Sequence, residues 1–146
     1  MYKKILVPLD GSPLAEAILP HAQALAKSEG AEIVLLRVSQ PPAPEFLARD
    51  VKTGARLVEK MEQEARQYIE VEVRRLRNDG NQVTGIARDG AVLETIVSVA
   101  RETHADVIAM STHGRNGVAR LVIGSVADEV VRRSHLPVLL VRPEES

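Results

Sequence analysis

Two stretches of this chain place polar, charged and glycine residues where they could act on a ligand. Each follows a run of aliphatic residues. The longer is Ser111-Thr112-His113-Gly114-Arg115-Asn116-Gly117, leading through Arg120 to Ile123-Gly124-Ser125-Val126. Glycines let backbone approach a ligand without a clashing Cβ. Gly124-Ser125 at the start of a helix would aim unpaired backbone N–H groups and a hydroxyl at an anion. From Arg115 to Arg133 four Arg stand against Asp128 and Glu129, a local excess of two positive charges in a chain of net charge −1. That is the chemistry of a phosphate site. Glycine-rich connections after strands also occur as plain tight turns, and the residues alone leave both readings open. The second stretch is Pro8-Leu9-Asp10-Gly11-Ser12. Asp10 there can accept from a sugar hydroxyl, bind a metal, or close an Asx turn. His113 is a general base only if a partner orients it; a lone loop His more often lies on the surface. Ser125 lacks the strand-Gly-x-Ser-x-Gly setting of a nucleophile, and serves better as a phosphate donor and helix cap.

The elements that must position these residues alternate along the chain. Ile5-Leu6-Val7 reads as a buried strand ended by Pro8, and Ser12-Pro13 as an N-cap with proline at the first helical position. Leu14, Ile18, Ala22 and Leu25 recur at helical spacing up to Gly30, with Pro20 bending that helix. A second strand spans Ile33 to Val38. Residues 39–54, with Pro41, Pro42 and Pro44, read as a long irregular flap or lid. A helix from Ala55 to Asn78 carries the stripe Val58, Met61, Ala65, Ile69, Val73 and Leu76. Strands near 83–87, 107–110 and 138–141 alternate with helices near 92–103 and 124–133. Strands joined by helices run parallel. The pattern predicts a doubly wound α/β domain of five strands and four helices over residues 1–146. Ligands in such folds sit beyond the carboxyl ends of the strands, where the strand order reverses.

Composition narrows the chemistry. Aromatics are 2% of the 146 residues, so the core is aliphatic and a stacking platform for single-stranded nucleic acid is disfavoured. Nineteen basic against 20 acidic residues give no general field for nucleic acid or an anionic membrane. With no cysteine, disulfides, thiolate metal sites and cysteine nucleophiles are excluded. No apolar run is long enough for a signal peptide or a membrane span, so the expectation is a cytoplasmic protein without a membrane partner.

The spacing Gly114, nine residues, Gly124-Ser125 resembles the nucleotide loop of the universal stress protein family, written G-x2-G-x9-G-[S/T]. The opening Lys3-Lys4-Ile5-Leu6-Val7-Pro8-Leu9-Asp10-Gly11-Ser12 and the closing Ser134-His135-Leu136-Pro137-Val138-Leu139-Leu140-Val141 resemble it too. The likeness spans essentially the whole chain. It implies strand order 3-2-1-4-5, a Rossmann-like sheet, and the branch whose members bind ATP, with Mg2+ as a companion ion. It implies that Pro8 and Asp10 flank the adenine and ribose, that Val38 lines the adenine pocket, and that Met110 and His113 lie along the nucleoside. Gly114, Arg115, Gly124, Ser125 and Val126 would cradle ribose and phosphates. The chain departs from the pattern at Ser111, where the written motif begins with Gly. A Cβ and hydroxyl there either narrow the approach to the nucleotide or hydrogen-bond it.

The reading is therefore a homodimeric stress-response module holding an adenine nucleotide, pairing through the last strand, Pro137 to Arg142, and signalling to a protein partner. A slow ATP hydrolase and a nucleotide-independent interaction dimer are the alternatives. The chain shows no Walker lysine, no water-activating carboxylate and no dedicated metal cluster, and Asp10 is the one candidate metal partner. A phospho-receiver is excluded, because its acidic pocket would need Asp89 beside Asp10, and the implied strand order separates them.

Overall fold

A computed structural model describes residues 1–112 and 124–143. Its strands are β1 (Lys4–Leu9), β2 (Glu32–Ser39), β3 (Val83–Asp89), β4 (Val107–Ser111) and β5 (Val138–Val141). They form one parallel sheet in the order β3-β2-β1-β4-β5. The helices among the described residues are α1 (Pro13–Glu16), α2 (Leu19–Glu29), α3 (Pro44–Ala48), α4 (Val51–Asn78), α5 (Val92–Glu102) and α6 (Ser125–Ser134). Each of the four crossovers carries helix, and the expected strand order holds.

Strand alternation divides the core into two layers. Ile5, Val7, Leu9, Ile33 and Leu35 pack under α2 and α4, against Ile18, Leu19, Ala22, Ile69, Val73 and Leu76. Leu6, Val34, Leu36, Val38, Ile108 and Met110 pack under α5 and α6, against Ile96, Val99, Ala127 and Val130. Strands buried on both faces need continuous aliphatic runs, which Ile5-Leu6-Val7 and Ile33-Val34-Leu35-Leu36 supply. Gly85 lets α4 approach β3, since a Cβ there would lie 2.3 Å from Ile69 Cγ2 and 2.7 Å from Val73 Cγ2. At the β3 edge, the Arg77 guanidinium donates twice to the Val83 carbonyl, at 2.9 and 2.7 Å, and so occupies an edge acceptor.

Four local expectations are corrected. Pro8 does not end the first strand: β1 runs on to Leu9, with Pro8 opposite Leu36. The Lys3 carbonyl accepts from Glu32 N–H and the Lys4 carbonyl from Asp106 N–H, so odd positions bond toward β2 and even ones toward β4. By that period Pro8 turns its missing donor toward β4, beyond the point where the β1–β4 ladder stops. Pro20 does not bend a continuous helix. The chain breaks at Ala17–Ile18, and Pro20 sits in the first turn of a new helix, where its absent N–H costs nothing. Residues 39–54 are not an irregular flap. They hold α3 and the first turn of α4, whose N-cap Asp50 accepts from the N–H groups of Lys52 and Thr53. Finally, the α4 stripe is buried only from Ala65 onward, apart from Gly54, while Val58 and Met61 stay half-exposed.

Candidate functional site

The sheet opens at its carboxyl edge between β1 and β4. The β1–β2 ladder runs from Lys4↔Glu32 to Leu9↔Arg37, whereas the β1–β4 ladder stops at Leu6↔Ile108. From β1 the chain passes to α1 on one face, and from β4 toward α6 on the other, which is the strand-order reversal where ligands bind in this architecture. Pro8, Val38 and Met110 fall on the α5–α6 face by alternation, with Val38 and Met110 in the same core cluster. They lie on strands two apart, roughly 10 Å from one another, with Pro8 between. Val38 and Met110 are 6% and 7% exposed, so both are chiefly core residues whose edges alone face the opening. Ser111 ends β4 and is also buried.

Asp10 closes β1 as an Asx turn. Its Oδ1 accepts from Ser12 N–H at 2.9 Å and Ser12 Oγ at 2.6 Å, while Ser12 Oγ in turn caps α1 by accepting from Ala15 N–H at 3.1 Å. Both the capping role of Asp10 and the N-cap role of Ser12 are thus present, and they hold the carboxylate at the mouth of the opening. Behind α1, Tyr68 of α4 donates to Glu16 Oε2 at 2.6 Å. Burial, then the hydrogen bond to Glu16, hold the Tyr68 phenol protonated well above its ordinary range.

On the opposite side of the opening, Gly124 is the N-cap of α6. Its N–H donates to the Thr112 carbonyl at 3.1 Å, and its own carbonyl accepts from Asp128 N–H at 2.9 Å. A Cβ on Gly124 would lie 2.3 Å from the Thr112 oxygen. Glycine is therefore required here for helix–strand contact, at an ordinary φ of −58°. The Ser125 hydroxyl is not the cap: Ser125 is the first helical residue and is exposed. The N–H groups of Ser125, Val126 and Ala127 precede the first intrahelical bond and have no partner within the helix.

Two of the four arginines lie away from this end. Arg132 and Arg133 lie in the last turn of α6, roughly 10 Å along the axis from Ser125. Arg132 pairs with Asp128 at 3.4 Å and Arg133 with Glu94 at 3.5 Å. His113, Gly114 and Arg115, with Arg120, lie outside the described residues. Asp89 ends β3, at the edge of the sheet and separated from β1 by β2.

One residue at the opening is not marked out by the sequence. Thr112 Oγ1 is buried and makes no hydrogen bond among the described residues, a costly arrangement for a hydroxyl. Its neighbours Ser111 and Gly114 mark the segment, but no residue pattern distinguishes an unsatisfied hydroxyl from a satisfied one. Among the described residues no group of three His, Asp or Glu side chains could hold a metal, and no helix is long and apolar enough to cross a membrane.

Residues 1–142 match the Universal stress protein family. Universal stress protein MJ0577 of Methanocaldococcus jannaschii is 31% identical over 161 residues, covering 100% of this chain and 98% of its own. A solved structure of MJ0577 is similar with a TM-score of 0.87 at 33% identity, covering 100% and 99% of the two chains. Two more distant structures share the fold and hold nucleotides. One is a universal stress protein in complex with cAMP (TM-score 0.63, 22% identity, 98% of each chain). The other is the Arabidopsis thaliana protein At3g01520 with AMP bound (TM-score 0.68, 16% identity, 97% of this chain and 92% of that one). With a family match along nearly its full length and a sheet in the order β3-β2-β1-β4-β5, the chain belongs to the universal stress protein family.

Proposed function

We propose that this chain binds an adenine nucleotide, ATP in the first instance, in the opening between β1 and β4, and acts as a nucleotide-dependent stress-response module. The observation that carries the reading is the juxtaposition of three features at one sheet edge. β1 and β4 part beyond Leu6↔Ile108, Asp10 stands on one side, and Gly124 seats the N-terminus of α6 on the other. Helix N-termini favour anions through their unpaired N–H groups and the helix dipole. The cAMP and AMP held by relatives support the same ligand class.

The residues present fit a nucleotide. Thr112, whose carbonyl meets Gly124 at the helix start, carries a buried Oγ1 that makes no hydrogen bond among the described residues. Asp10 supplies one carboxylate, and Ser125 and Val126 supply backbone donors. Pro8, Val38, Met110 and Ser111 would border the nucleoside. His113, Gly114 and Arg115 complete the proposed loop. A Mg2+ ion accompanying ATP is held largely by phosphates and water and needs one or two carboxylates from the protein, a role open to Asp10. We further propose a homodimer through Pro137–Arg142. β5 is a sheet edge whose Val138, Leu139, Leu140 and Val141 are only half-buried, and a second copy would cover it.

Isothermal titration of the full chain with ATP, AMP and cAMP in magnesium buffer tests the ligand. Saturable binding of at least one is expected, and heats no larger than dilution for all three would refute the reading. Native mass spectrometry of freshly purified protein reports the dimer mass and any retained nucleotide together.

A further inference from the structure

We infer that the groove between α3 and the projecting N-terminal half of α4 docks a basic, amphipathic peptide segment of a partner protein. The argument starts from length. α4 has 28 residues and β3, which it covers, has 7. At 1.5 Å and about 3.3 Å per residue, the helix outruns the strand by roughly 19 Å, about 13 residues. The excess falls at the N-terminal end, because apart from Gly54 the first buried residue of α4 is Ala65.

The projecting half keeps the phase of the core. Ala65, Ile69, Val73 and Leu76 face the sheet, and at 100° per residue Val51, Ala55, Val58 and Glu62 continue the same stripe past its edge. α3 closes one side. Gly54 permits that contact, since a Cβ there would lie 3.1–3.2 Å from the backbone and side chain of Leu47. A glycine inside a helix costs about 1 kcal/mol against alanine, so the α3–α4 contact is specified in the sequence. The result is a groove of about 430 Å³ lined by Leu47, Val51, Gly54, Ala55, Val58, Glu59 and Glu62. Val51 is 76% exposed.

Chemistry and shape select the occupant. The floor is aliphatic, while the charged residues of the lining, Glu59 and Glu62, are both acidic and form no ion pair among the described residues. Arg56 and Lys60 lie on the opposite side of the helix and Lys52 at the groove's margin. From Val51 to Glu62 the groove follows α4 for about 16 Å, three helical turns, which suits a polypeptide with apolar residues at helical spacing and Lys or Arg flanking them.

The test uses the full chain and a fluorescein-labelled helical peptide of Leu and Lys, about four turns long, with a Leu/Glu peptide of the same pattern as control. Fluorescence anisotropy should show binding of the Leu/Lys peptide and at least about tenfold weaker binding of the Leu/Glu peptide. The Glu59→Lys/Glu62→Lys variant and, separately, the Val51→Ser/Val58→Ser variant should each lose about tenfold or more. All four positions lie outside the buried core, and unchanged thermal melts verify folding. No binding, equal binding of both peptides, or affinity unchanged in either variant overturns the inference. So does sedimentation showing a self-associated species that Val51→Ser/Val58→Ser abolishes, because a second copy would then be the occupant.

Discussion

Gly124→Ala tests the geometry of the proposed site most directly, because its cost comes from one contact. The backbone at Gly124 has φ −58° and ψ 149°, which alanine adopts freely, so no conformational penalty applies. The added Cβ would lie 2.3 Å from the Thr112 carbonyl oxygen, which also accepts the Gly124 N–H at 3.1 Å. Relieving the overlap requires α6 and the end of β4 to separate by roughly 1 Å. Overpacking of this kind costs about 1–3 kcal/mol, and the lost hydrogen bond adds about 1 kcal/mol. At about 0.3 kcal/mol per kelvin for a chain of 146 residues, a loss of about 2–4 kcal/mol lowers Tm by about 7–13 °C. Gly30→Ala is the matched control. It sits at φ 65° with nothing within 4 Å of where the added methyl would stand, so its cost of about 1–2 kcal/mol is conformational alone. Urea unfolding of both variants gives the stabilities, and nucleotide titration near 10 °C, where the variants remain folded, gives the affinities. Gly124→Ala should weaken nucleotide binding at least about tenfold by displacing the α6 amides, while Gly30→Ala leaves it unchanged. A Gly124→Ala protein within about 0.5 kcal/mol of wild type would refute the contact and the helix placement built on it.

Other positions respond to equally specific causes. His104 and His135 both adopt φ 56° at helix ends; changing each to Gly should raise stability by about 0.5–1 kcal/mol in thermal unfolding, and a lowered Tm would contradict that. Gly85→Ala should cost about 1–3 kcal/mol, because the methyl meets Ile69 and Val73 of α4, and unchanged urea unfolding would show that the helix is not seated on β3 as described. The backbone N–H groups of Lys3 and then Lys4, at 2.8 and 2.9 Å, hold the Asp106 carboxyl below its usual range. A carboxyl depressed on folding contributes stability above its unfolded pKa, near 3.9, and loses that contribution as pH falls through the lower folded value. Asp106→Asn should therefore be less stable than wild type at pH 7, with the difference shrinking below about pH 4. A constant difference across an acid titration of stability would refute the assignment.

The central strands were legible because β1, β2 and β4 are buried on both faces and so appear as aliphatic runs, Ile33-Val34-Leu35-Leu36 most clearly, whereas the edge strand β3 is largely exposed. Ser12 and Gly30 were legible as caps because each solves a local problem, a free amide to bond and a left-handed turn to adopt. Prolines misled. Pro8 reads as a strand end only if a partner strand needs its N–H, and β4 has already diverged there. Pro44 reads as a loop residue, yet it occupies the first turn of α3, where proline is at home. Whether a proline breaks or begins an element depends on neighbours that the local sequence does not name. The role of Gly124 was half-visible: its position at the head of a helix could be read from the chain, but its contact with Thr112 at the end of β4 belongs to tertiary structure.

Charge shows the same gap between what a chain contains and where it puts it. Four Arg between residues 115 and 133 suggest one cationic patch. In the fold Arg132 and Arg133 lie at the far end of the helix, where they complement the negative end of the α6 dipole and pair with Asp128 and Glu94. Among the described residues, then, an anion at the α6 N-terminus would be met by backbone amides and about half a unit of dipole charge. Asp128, in the first turn of the same helix, opposes that anion, and its pairing with Arg132 at 3.4 Å offsets the opposition. On the nucleoside side Val38 and Met110 are already committed to the core. A base in this opening would rest on their edges and on the backbone of β1 and β4 beyond the end of their ladder. A site assembled this way depends on where strands and helix ends lie more than on which side chains they carry, and that makes the small residues that set those positions, Gly124 above all, the ones most sensitive to change.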